Sequence, residues 1–233
     1  MPIIGTQQSP IRIVGEETIY SKVPPLQYAY TGKLPGNFKR DNFEFDVHYD
    51  SEGCEVTTGK ELVVGKLTWV IRKIHIHSPA EHTFDDEVPH GFECHLLHSL
   101  PGDVKGRGPK LVIGVFFNIA TKPSKKSRPR STLFGLNAEI GKKSTDTCKG
   151  RCPIEHAHEV DVMDFLPDKD QEKFYRYEGS LTSEPFSEDV NWYILKQSSD
   201  VYEDNVDQIL ICAEQEARPV HPVDRRFILR NFP

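Results

Sequence analysis

The run Ile74-His75-Ile76-His77 decides how the rest of the chain is interpreted. Histidine alternates with isoleucine in this run and no helical period fits it, so the pattern predicts a β-strand. Residues two apart in a strand lie on the same face of the sheet. The imidazoles of His75 and His77 are therefore predicted to lie side by side and to point the same way.

A second run with histidines follows, Glu93-Cys94-His95-Leu96-Leu97-His98, and it is apolar enough to be a strand as well. If the two strands pair, His95 joins His75 and His77 on one face, whereas His98, three residues on, faces away. Three converging imidazoles suit a catalytic zinc ion, which takes three protein ligands and leaves a fourth position for water. Zinc lowers the pKa of that water to about 7. We therefore expect a Zn²⁺ site at these three histidines.

Length and composition restrict the class of protein. The 233 residues suffice for one large β-rich domain or two small ones, and 13 Phe and 8 Tyr supply core material although only 37% of residues are hydrophobic. The net charge of −6 argues against nucleic acid as the main partner. No run approaches the roughly 18 apolar residues of a membrane span. We therefore expect neither a nucleic-acid partner nor a transmembrane segment.

The chain start and the cysteines bear on the compartment. The first six residues carry neither the basic region nor the long apolar stretch of a signal peptide, which favours the cytoplasm unless a leader has been removed. Five cysteines leave at least one unpaired. We expect Cys94 to be a buried hydrophobe that faces away from the zinc histidines. Cys148 and Cys152 could form a disulfide or a metal clip, and we favour free thiols.

Short strand-like segments recur along the chain, separated by glycine, proline and polar clusters, as in β-rich folds. The fold class is therefore predicted to be mainly β with a few short helices. No fixed repeat and no shift in composition marks a domain boundary, so residues 1–233 are predicted to form a single domain. The clearest strand candidates are residues 43–49, 67–71 and 111–117.

Two further segments have distinct patterns. Residues 131–140 are the best helix candidate, with Gly141 placed to end it and Gly135 as an unfavourable interior residue. Residues 121–130 are basic and contain two prolines. This composition predicts a solvated loop, with a site for an anionic partner as the alternative.

Together these motifs resemble the α-class carbonic anhydrases, over about residues 8 to 230. The His-Ser-Pro-Ala-Glu-His version at residues 77–82 is closer to the compact bacterial and plant members. The resemblance implies a single domain around a large, mostly antiparallel, twisted sheet, with zinc at the bottom of a conical cleft. It implies a zinc lyase that catalyses reversible hydration of CO2 to bicarbonate and a proton. The matching segments are Gln8-Ser9-Pro10-Ile11-Arg12-Ile13, Ile74-His75-Ile76-His77-Ser78-Pro79-Ala80-Glu81-His82-Thr83, Glu93-Cys94-His95-Leu96-Leu97-His98, Tyr177-Glu178-Gly179-Ser180-Leu181-Thr182-Ser183-Glu184-Pro185, Val190-Asn191-Trp192 and Ala217-Arg218-Pro219-Val220-His221-Pro222.

The resemblance also implies roles for residues around the metal. Thr182 matches the threonine that accepts a hydrogen bond from zinc-bound hydroxide, and Glu81 matches the glutamate that accepts the threonine's own proton. An ionised carboxylate can only accept, which makes this arrangement directional. Glu93 shares the strand face of His95 and resembles the carboxylate that takes the other ring N–H of that ligand. Five apolar residues match the CO2 pocket, with plain core packing as the alternative: Leu181, Val112, Leu97, Val190 and Trp192.

The chain departs from the family pattern at two positions. Lys73 stands where the family usually has a glutamine that supports the first zinc ligand, and an ammonium group has no acceptor for the N–H of His75. Phe43 stands where fast members carry a proton-shuttle histidine, so we expect slow proton release that imidazole buffer accelerates. His48 is a weaker shuttle candidate, because strict alternation puts it on the face opposite Phe43. The cysteine pair that forms the disulfide of secreted members is also missing, which again favours a reducing compartment.

Two other functions remain open alongside carbonic anhydrase activity. The chain could be a binding or storage protein on the same fold, with little or no catalysis, as Lys73 and Phe43 suggest. It could also be a zinc-dependent esterase with another substrate. CO2 and bicarbonate are the substrates that the resemblance implies, and it predicts inhibition by sulfonamides and anions.

Overall fold

Most of the regular secondary structure in the described residues is β-strand, as β-branched and aromatic residues favour. The computed structural model describes residues 5–23, 25–39, 43–47, 54–57, 67–85, 89–103, 107–122, 130–143, 155–213 and 217–233. The strands are β1 (Arg12–Ile13), β2 (Ile19–Tyr20), β3 (Gln27–Tyr30), β4 (Leu34–Lys39), β5 (Glu44–Val47), β6 (Cys54–Thr57), β7 (Thr68–His77), β8 (Thr83–Phe84), β9 (Phe92–Ser99), β10 (Lys110–Ala120), β11 (Glu155–Val160), β12 (Phe174–Gly179), β13 (Val190–Leu195), β14 (Ser199–Tyr202) and β15 (Leu229–Arg230).

One large sheet runs through the described residues in the order β11-β4-β5-β7-β9-β10-β13-β12-β15-β2. Off this path, β14 pairs with β10, and β6 pairs with β3 and β7. Most neighbouring strands are antiparallel, whereas β10 is parallel to β13 and β14, and β15 is parallel to β2. A separate two-stranded sheet joins β1 and β8. The predicted β-rich fold around a mostly antiparallel sheet is confirmed.

The two faces of the sheet carry two apolar clusters. The larger one includes Ile74 and Ile76 of β7 and Cys94 of β9, so Cys94 is buried on the face away from the histidines, as predicted. The smaller one includes Val112 and Trp192 and lies on the histidine side. Period-two alternation along β7 and β9 therefore directs the apolar residues into one core and the histidines toward the other side.

Register brings the two histidine strands together. Strands β7 and β9 are antiparallel neighbours, with His75 directly opposite His95 and His77 opposite Glu93. The register shifts between Ile71 and Lys73, upstream of the histidines. The predicted pairing of these two strands is therefore confirmed.

The helices are few and short. Helix α1 spans Ser131–Lys143 and α2 spans Asp207–Ala213, with 3-10 turns at Gly15–Glu17, Val162–Phe165 and Glu203–Asn205. The predicted helix at residues 131–140 is confirmed, but Gly141 does not end it. Residues Leu133 and Leu136 of α1 are buried in the larger cluster and α1 packs against α2, so packing outweighs the low helix propensity of glycine. No helix in the described part of the chain is long and apolar enough to cross a bilayer.

The prediction of a solvated basic loop at residues 121–130 is wrong at its end. Arg130 is buried, and its guanidinium donates to the backbone oxygens of Asp164 and Leu166 and to Ser199 Oγ. Five N–H groups in a fixed fork allow one arginine to satisfy several buried acceptors at once. Residues 123–129, His48, Cys148 and Cys152 lie outside the described residues.

Candidate metal centre

The three predicted ligands converge on one face of the sheet. The ring centroids of His75 and His77 lie 4.2 Å apart, and those of His77 and His95 lie 4.7 Å apart. His77 and His95 are buried, with only 4% and 5% of their surfaces exposed. Two residues two apart on β7 and one residue directly across on β9 thus form a compact imidazole cluster.

Two of the three histidines, His77 and His95, have donor atoms close enough to share an ion together with Glu81. The ligand atoms that His77, Glu81 and His95 can offer lie within 4.8 Å of one another. The Nε2 atom of His77 is buried and makes no hydrogen bond with the described residues, and it lies 3.5 Å from Glu81 Oε2. A buried ring nitrogen without a hydrogen bond is costly in the protein alone, and a metal ligand role removes that cost.

The Glu93 carboxylate holds the His95 ring through its Nε2 atom. Its Oε1 atom lies 2.9 Å from His95 Nε2 and 2.8 Å from His82 Nδ1, and its Oε2 atom accepts from the backbone N–H groups of Glu81 and His82 at 3.0 and 2.9 Å. Because an ionised carboxylate only accepts, both ring nitrogens that face it carry protons. The Nδ1 atom of His95 is thereby the one left for a metal, and the predicted position of Glu93 behind His95 agrees with this contact.

The pKa shifts reflect this arrangement. Burial alone would raise the pKa of Glu93, but His82 and His95 beside it hold that pKa well below its usual value. Burial lowers the pKa of His95, and the Glu93 carboxylate more than reverses this, so the pKa of His95 is raised. Burial, together with the neighbouring His95 and His75, holds the pKa of His77 well below its usual value. The ring of His77 is therefore held neutral, as a metal ligand must be.

The residues present fit a zinc ion. Imidazole nitrogens are among the ligands that zinc takes, and a second hydrogen-bonding partner on a ligating histidine is typical of such sites. His95 has that partner in Glu93, and His77 offers a buried ring nitrogen without a hydrogen bond to the described residues. The arrangement also explains why a carboxylate can be wholly buried here, since each of its oxygens accepts two hydrogen bonds.

Sequence reasoning missed a polar chain behind Glu93. His82 is wholly buried, with Nδ1 at Glu93 and Nε2 at 2.6 Å from the Tyr177 hydroxyl. The Tyr177 oxygen lies 2.8 Å from Ser9 Oγ, which accepts from the backbone N–H of Ser180 at 3.1 Å. His82, Tyr177 and Ser9 all lie in segments that match the family, but the sequence alone assigned none of them a role.

Glu81 and Thr182 lie together, as predicted. Burial raises the pKa of the Glu81 carboxyl, while His95, a hydrogen bond from the Thr182 side chain and the backbone N–H of Arg218 oppose that rise. The Arg218 N–H donates to Glu81 Oε1 at 3.2 Å, and its guanidinium donates to Gln8 Oε1 at 2.8 Å and to the Ser9 carbonyl at 2.6 Å. Arg218 also lies in a matching segment to which the sequence assigned no role.

The five predicted pocket residues lie in one cluster beside the histidines. Val112 is directly opposite Leu97 on β9 and Trp192 on β13. The Trp192 ring lies 4.8 Å from the His95 ring. Val112, Val190 and Trp192 are buried, and Leu97 and Leu181 are half-buried against them. The structure therefore brings these five residues together next to His95, and both the pocket role and plain packing are compatible with that placement.

The two departures from the family pattern have different structural outcomes. Lys73 pairs with Glu44, with Nζ 2.7 Å from Oε2, and lies 3.6 Å from Asp46 Oδ1. Its charge is thus neutralised by β5 rather than left facing the metal ligands. Phe43 has no exposed surface and packs against Phe38 with ring centroids 4.9 Å apart. It belongs to the larger core and offers no group that carries protons.

Comparisons with known proteins identify the family. The family model of the eukaryotic-type carbonic anhydrases matches residues 3–232. The chain belongs to this family. It is 26% identical over 233 residues to alpha carbonic anhydrase 3 of Arabidopsis thaliana, covering 97% of this chain and 75% of that protein. It is 24% identical over 226 residues to a carbonic anhydrase of Neisseria gonorrhoeae, covering 97% and 77%. The predicted family resemblance is confirmed.

Solved structures agree on the fold. The alpha-carbonic anhydrase of Photobacterium profundum has a TM-score of 0.70 at 21% identity, covering 97% of this chain and 90% of that one. A structure of dioscorin complexed with ascorbate has a TM-score of 0.74 at 21% identity, covering 97% and 86%. At this identity the likeness establishes the shared fold alone, and the carbonic-anhydrase family assignment rests on the sequence match.

Proposed function

We propose that this carbonic anhydrase family member is an active enzyme that catalyses zinc-dependent, reversible hydration of CO2 to bicarbonate and a proton. The observation that carries the proposal is the imidazole cluster of His75, His77 and His95, in which His95 donates its Nε2–H to the buried Glu93 carboxylate. The Glu93 carboxylate keeps a proton on Nε2 of His95 and so leaves Nδ1 available to a metal, which supports the proposal.

His75, His77 and His95 would hold the metal. A zinc ion bound there lowers the pKa of a coordinated water to about 7 and so supplies hydroxide at neutral pH. Glu93 keeps the His95 ring in one orientation and one tautomer, with Nδ1 directed away from the carboxylate. His82 donates from Nδ1 to the same Glu93 oxygen as His95 and helps to hold that carboxylate in place.

Thr182 and Glu81 would orient the reacting water. The Thr182 hydroxyl would donate to Glu81, whose pKa its side chain lowers, and the Arg218 N–H donates to the same carboxylate. A hydroxyl that donates its single proton to a carboxylate can only accept a hydrogen bond from a further partner. Thr182 would therefore accept the water proton that faces it and so orient a water lone pair toward the substrate.

CO2 would occupy the apolar cluster beside the histidines. Val112, Leu97 and Trp192 come from three adjacent strands and form a surface without charge next to His95. A surface of this kind offers CO2 an apolar environment and no competing hydrogen bonds. Phe43 cannot accept a proton, so proton transfer to buffer would limit turnover.

Stopped-flow CO2 hydration on protein of verified zinc content tests the proposal. Zinc-loaded protein should hydrate CO2 well above the buffer rate, and activity should disappear on chelation and return with zinc. An aromatic sulfonamide should inhibit it. His95→Ala should remove zinc binding and activity together, while His221→Ala, a histidine outside the cluster, should leave both unchanged. Zinc-loaded, folded protein without hydration activity would contradict the proposal and favour a binding protein on the same fold.

Added imidazole tests the proton-transfer step separately. Turnover at saturating CO2 should rise with imidazole concentration in a buffer of otherwise low capacity, whereas kcat/KM should stay constant, because only proton release follows bicarbonate departure. The measurement is the same stopped-flow assay at fixed ionic strength, with a non-titrating salt in place of imidazole as the control. Turnover that does not depend on imidazole concentration would show that another group carries the proton.

A further inference from the structure

A groove on the outer edge of the large sheet, remote in the chain from the histidine cluster, has the features of a second ligand site. Its floor is a row of three residues in register across the last three strands: Arg176 of β12, Leu229 of β15 and Ile19 of β2. Strand β2 is the outermost strand of the sheet path, so this row is open to solvent on one side. The groove encloses about 390 Å³, a volume suited to a small organic ligand.

The apolar part of the groove is unusually exposed. Phe227 precedes Leu229 by two residues and lines the groove with 72% of its surface exposed. Ile19 lines it with 46% exposed, and Leu229 is half-buried. Large apolar side chains that gather around one concave surface mark a binding site more often than single exposed residues do. The groove therefore offers a concave apolar surface to a ligand.

Three guanidinium groups line the same groove, against one carboxylate, that of Glu178. Arg225 is exposed and has no hydrogen-bond or ion-pair partner among the described residues. Arg226 donates to backbone oxygens of Val223, Glu178 and Pro222 and to no carboxylate that the structure describes. The lining residues themselves therefore carry more positive than negative charge, although Asp224 and Glu188 lie near Arg226.

Arg176 closes the polar end of the groove. Its Nη2 lies 3.1 Å from Asn191 Oδ1 and 3.4 Å from Glu178 Oε1, and its buried Nε has no hydrogen bond with the described residues. Two further carboxylates lie nearby. Glu188 is occupied by the Gln7 N–H and by Gln8 Nε2, and Asp224 lines the adjoining depression next to Arg225. The arginines therefore outnumber the carboxylates that line the groove itself.

We propose that this groove binds a small organic oxyanion, a carboxylate or a phosphate, carried on a flat apolar body. The guanidinium fork of Arg225 would take the oxyanion, because planar N–H groups match carboxylate and phosphate geometry. Phe227, Leu229 and Ile19 would cover the apolar body. The site is separate from the metal centre and does not depend on the proposed catalytic function.

Methyl NMR on the zinc-loaded protein tests this inference, with phenyl phosphate and benzoate as probes. Both should perturb the methyl groups of Ile19 and Leu229 in a saturable way, and the tighter of the two identifies the oxyanion. Perturbation of Leu97, Val112 and Leu181 instead would place the anion at the metal centre. Inorganic phosphate and benzyl alcohol, which carry only one of the two features, should each bind at least about tenfold more weakly.

Two exposed substitutions separate the two halves of the site. Arg225→Ala should weaken phenyl phosphate binding about tenfold, and Phe227→Ala should weaken phenyl phosphate but leave inorganic phosphate unchanged. Arg107→Ala, an exposed arginine elsewhere, is the matched control and should change nothing. Unchanged binding in Arg225→Ala, or shifts confined to the cleft methyl groups, would overturn the proposal. Unperturbed spectra of the free variants confirm that each is folded.

Discussion

Two buried histidines three residues apart on β9, His95 and His98, have pKa values that are shifted in opposite directions. His95 faces the metal-centre side, and its Nε2 lies 2.9 Å from the buried Glu93 carboxylate. His98 faces the larger core, with Nε2 2.7 Å from the Tyr30 hydroxyl and Nδ1 3.2 Å from the Leu111 carbonyl. Burial lowers the pKa of both rings, but Glu93 raises that of His95, whereas the pKa of His98 falls to about 4.

The difference shows that the partner, rather than burial, decides what a histidine can do. A carbonyl only accepts, so His98 carries its proton on Nδ1 and accepts from Tyr30 on Nε2. Both nitrogens of this neutral ring are thus used inside the core, and none is left for a metal. His95 uses only Nε2 on its carboxylate, which leaves Nδ1 available.

Removing the carboxylate should produce the largest effect. Glu93→Gln turns one acceptor oxygen into an N–H donor that faces either the two imidazole N–H groups or two backbone N–H groups. Zinc affinity should fall about 10- to 100-fold, and the free energy of unfolding of the metal-free protein should fall by about 3–5 kcal/mol. Chelator competition and urea unfolding measure the two quantities.

The control for that substitution is Glu178→Gln, at a glutamate whose side chain is 64% exposed. Both quantities should stay within error of the unsubstituted protein there. Unchanged zinc affinity in Glu93→Gln would mean that His95 does not need its carboxylate to bind metal. The difference between His95 and His98 would then not matter for metal binding.

The titration of His98 should be visible in the pH dependence of the free energy of unfolding. The unfolded ring titrates near its ordinary pKa of 6.5, whereas the folded ring takes a proton only near pH 4. The unfolded state therefore binds protons first as pH falls. His98 contributes stability that is fully present above pH 6.5 and is lost as pH falls toward 4, by about 3 kcal/mol in total. His98→Phe should flatten this part of the stability curve of the metal-free protein.

Tyr30→Phe is the matched control for that experiment. It removes the hydrogen bond to Nε2 but keeps the titrating ring, so it should lower the unfolding free energy by about 1 kcal/mol and keep the slope between pH 6.5 and 4. Urea unfolding at several pH values measures both variants. An equal slope in His98→Phe and the unsubstituted protein would assign the acid sensitivity to other groups.

The smallest effect on zinc affinity is expected at Lys73. This substitution tests whether a charge two residues before His75 influences the metal, as Glu93 influences it through His95. Lys73 pairs with Glu44 at a partly exposed position, where such pairs contribute at most about 1 kcal/mol. Lys73→Ala should therefore change zinc affinity by less than about threefold, as measured by chelator competition. A tenfold gain would show that the ammonium group repels the ion despite Glu44. Lys39→Ala, at the other partner of Glu44, is the control.

How far the sequence predicts this molecule depends on the range of the contacts. The strand positions of His75, His77 and His95 follow from period-two alternation, which is a local property. The prediction that they bind zinc rests on the resemblance to the family, whose motifs occur in the same order along this chain. The predicted end of α1 at Gly141 is wrong, since packing against α2 lies outside the local pattern.

The supporting contacts are the part that local patterns cannot reach. Arg218 binds Glu81 across 137 residues, and Tyr177 reaches Ser9 across 168. Arg130 was expected in solvent because its neighbours are basic, yet backbone oxygens of Asp164 and Leu166 accept its protons in the interior. Such acceptors depend on where distant loops meet, and no spacing in the sequence encodes that.

The contacts of Arg218 have a consequence for the order in which the protein can be completed. A ribosome synthesises the chain from its amino end, so all three histidines and Glu81 exist before Arg218 does. The bonds from Arg218 to Glu81, 137 residues earlier, and to Gln8, 210 residues earlier, cannot form until residue 218 has been added. A nascent chain that stops short of this point would carry every metal-binding residue but would lack the bond that holds Glu81 in place.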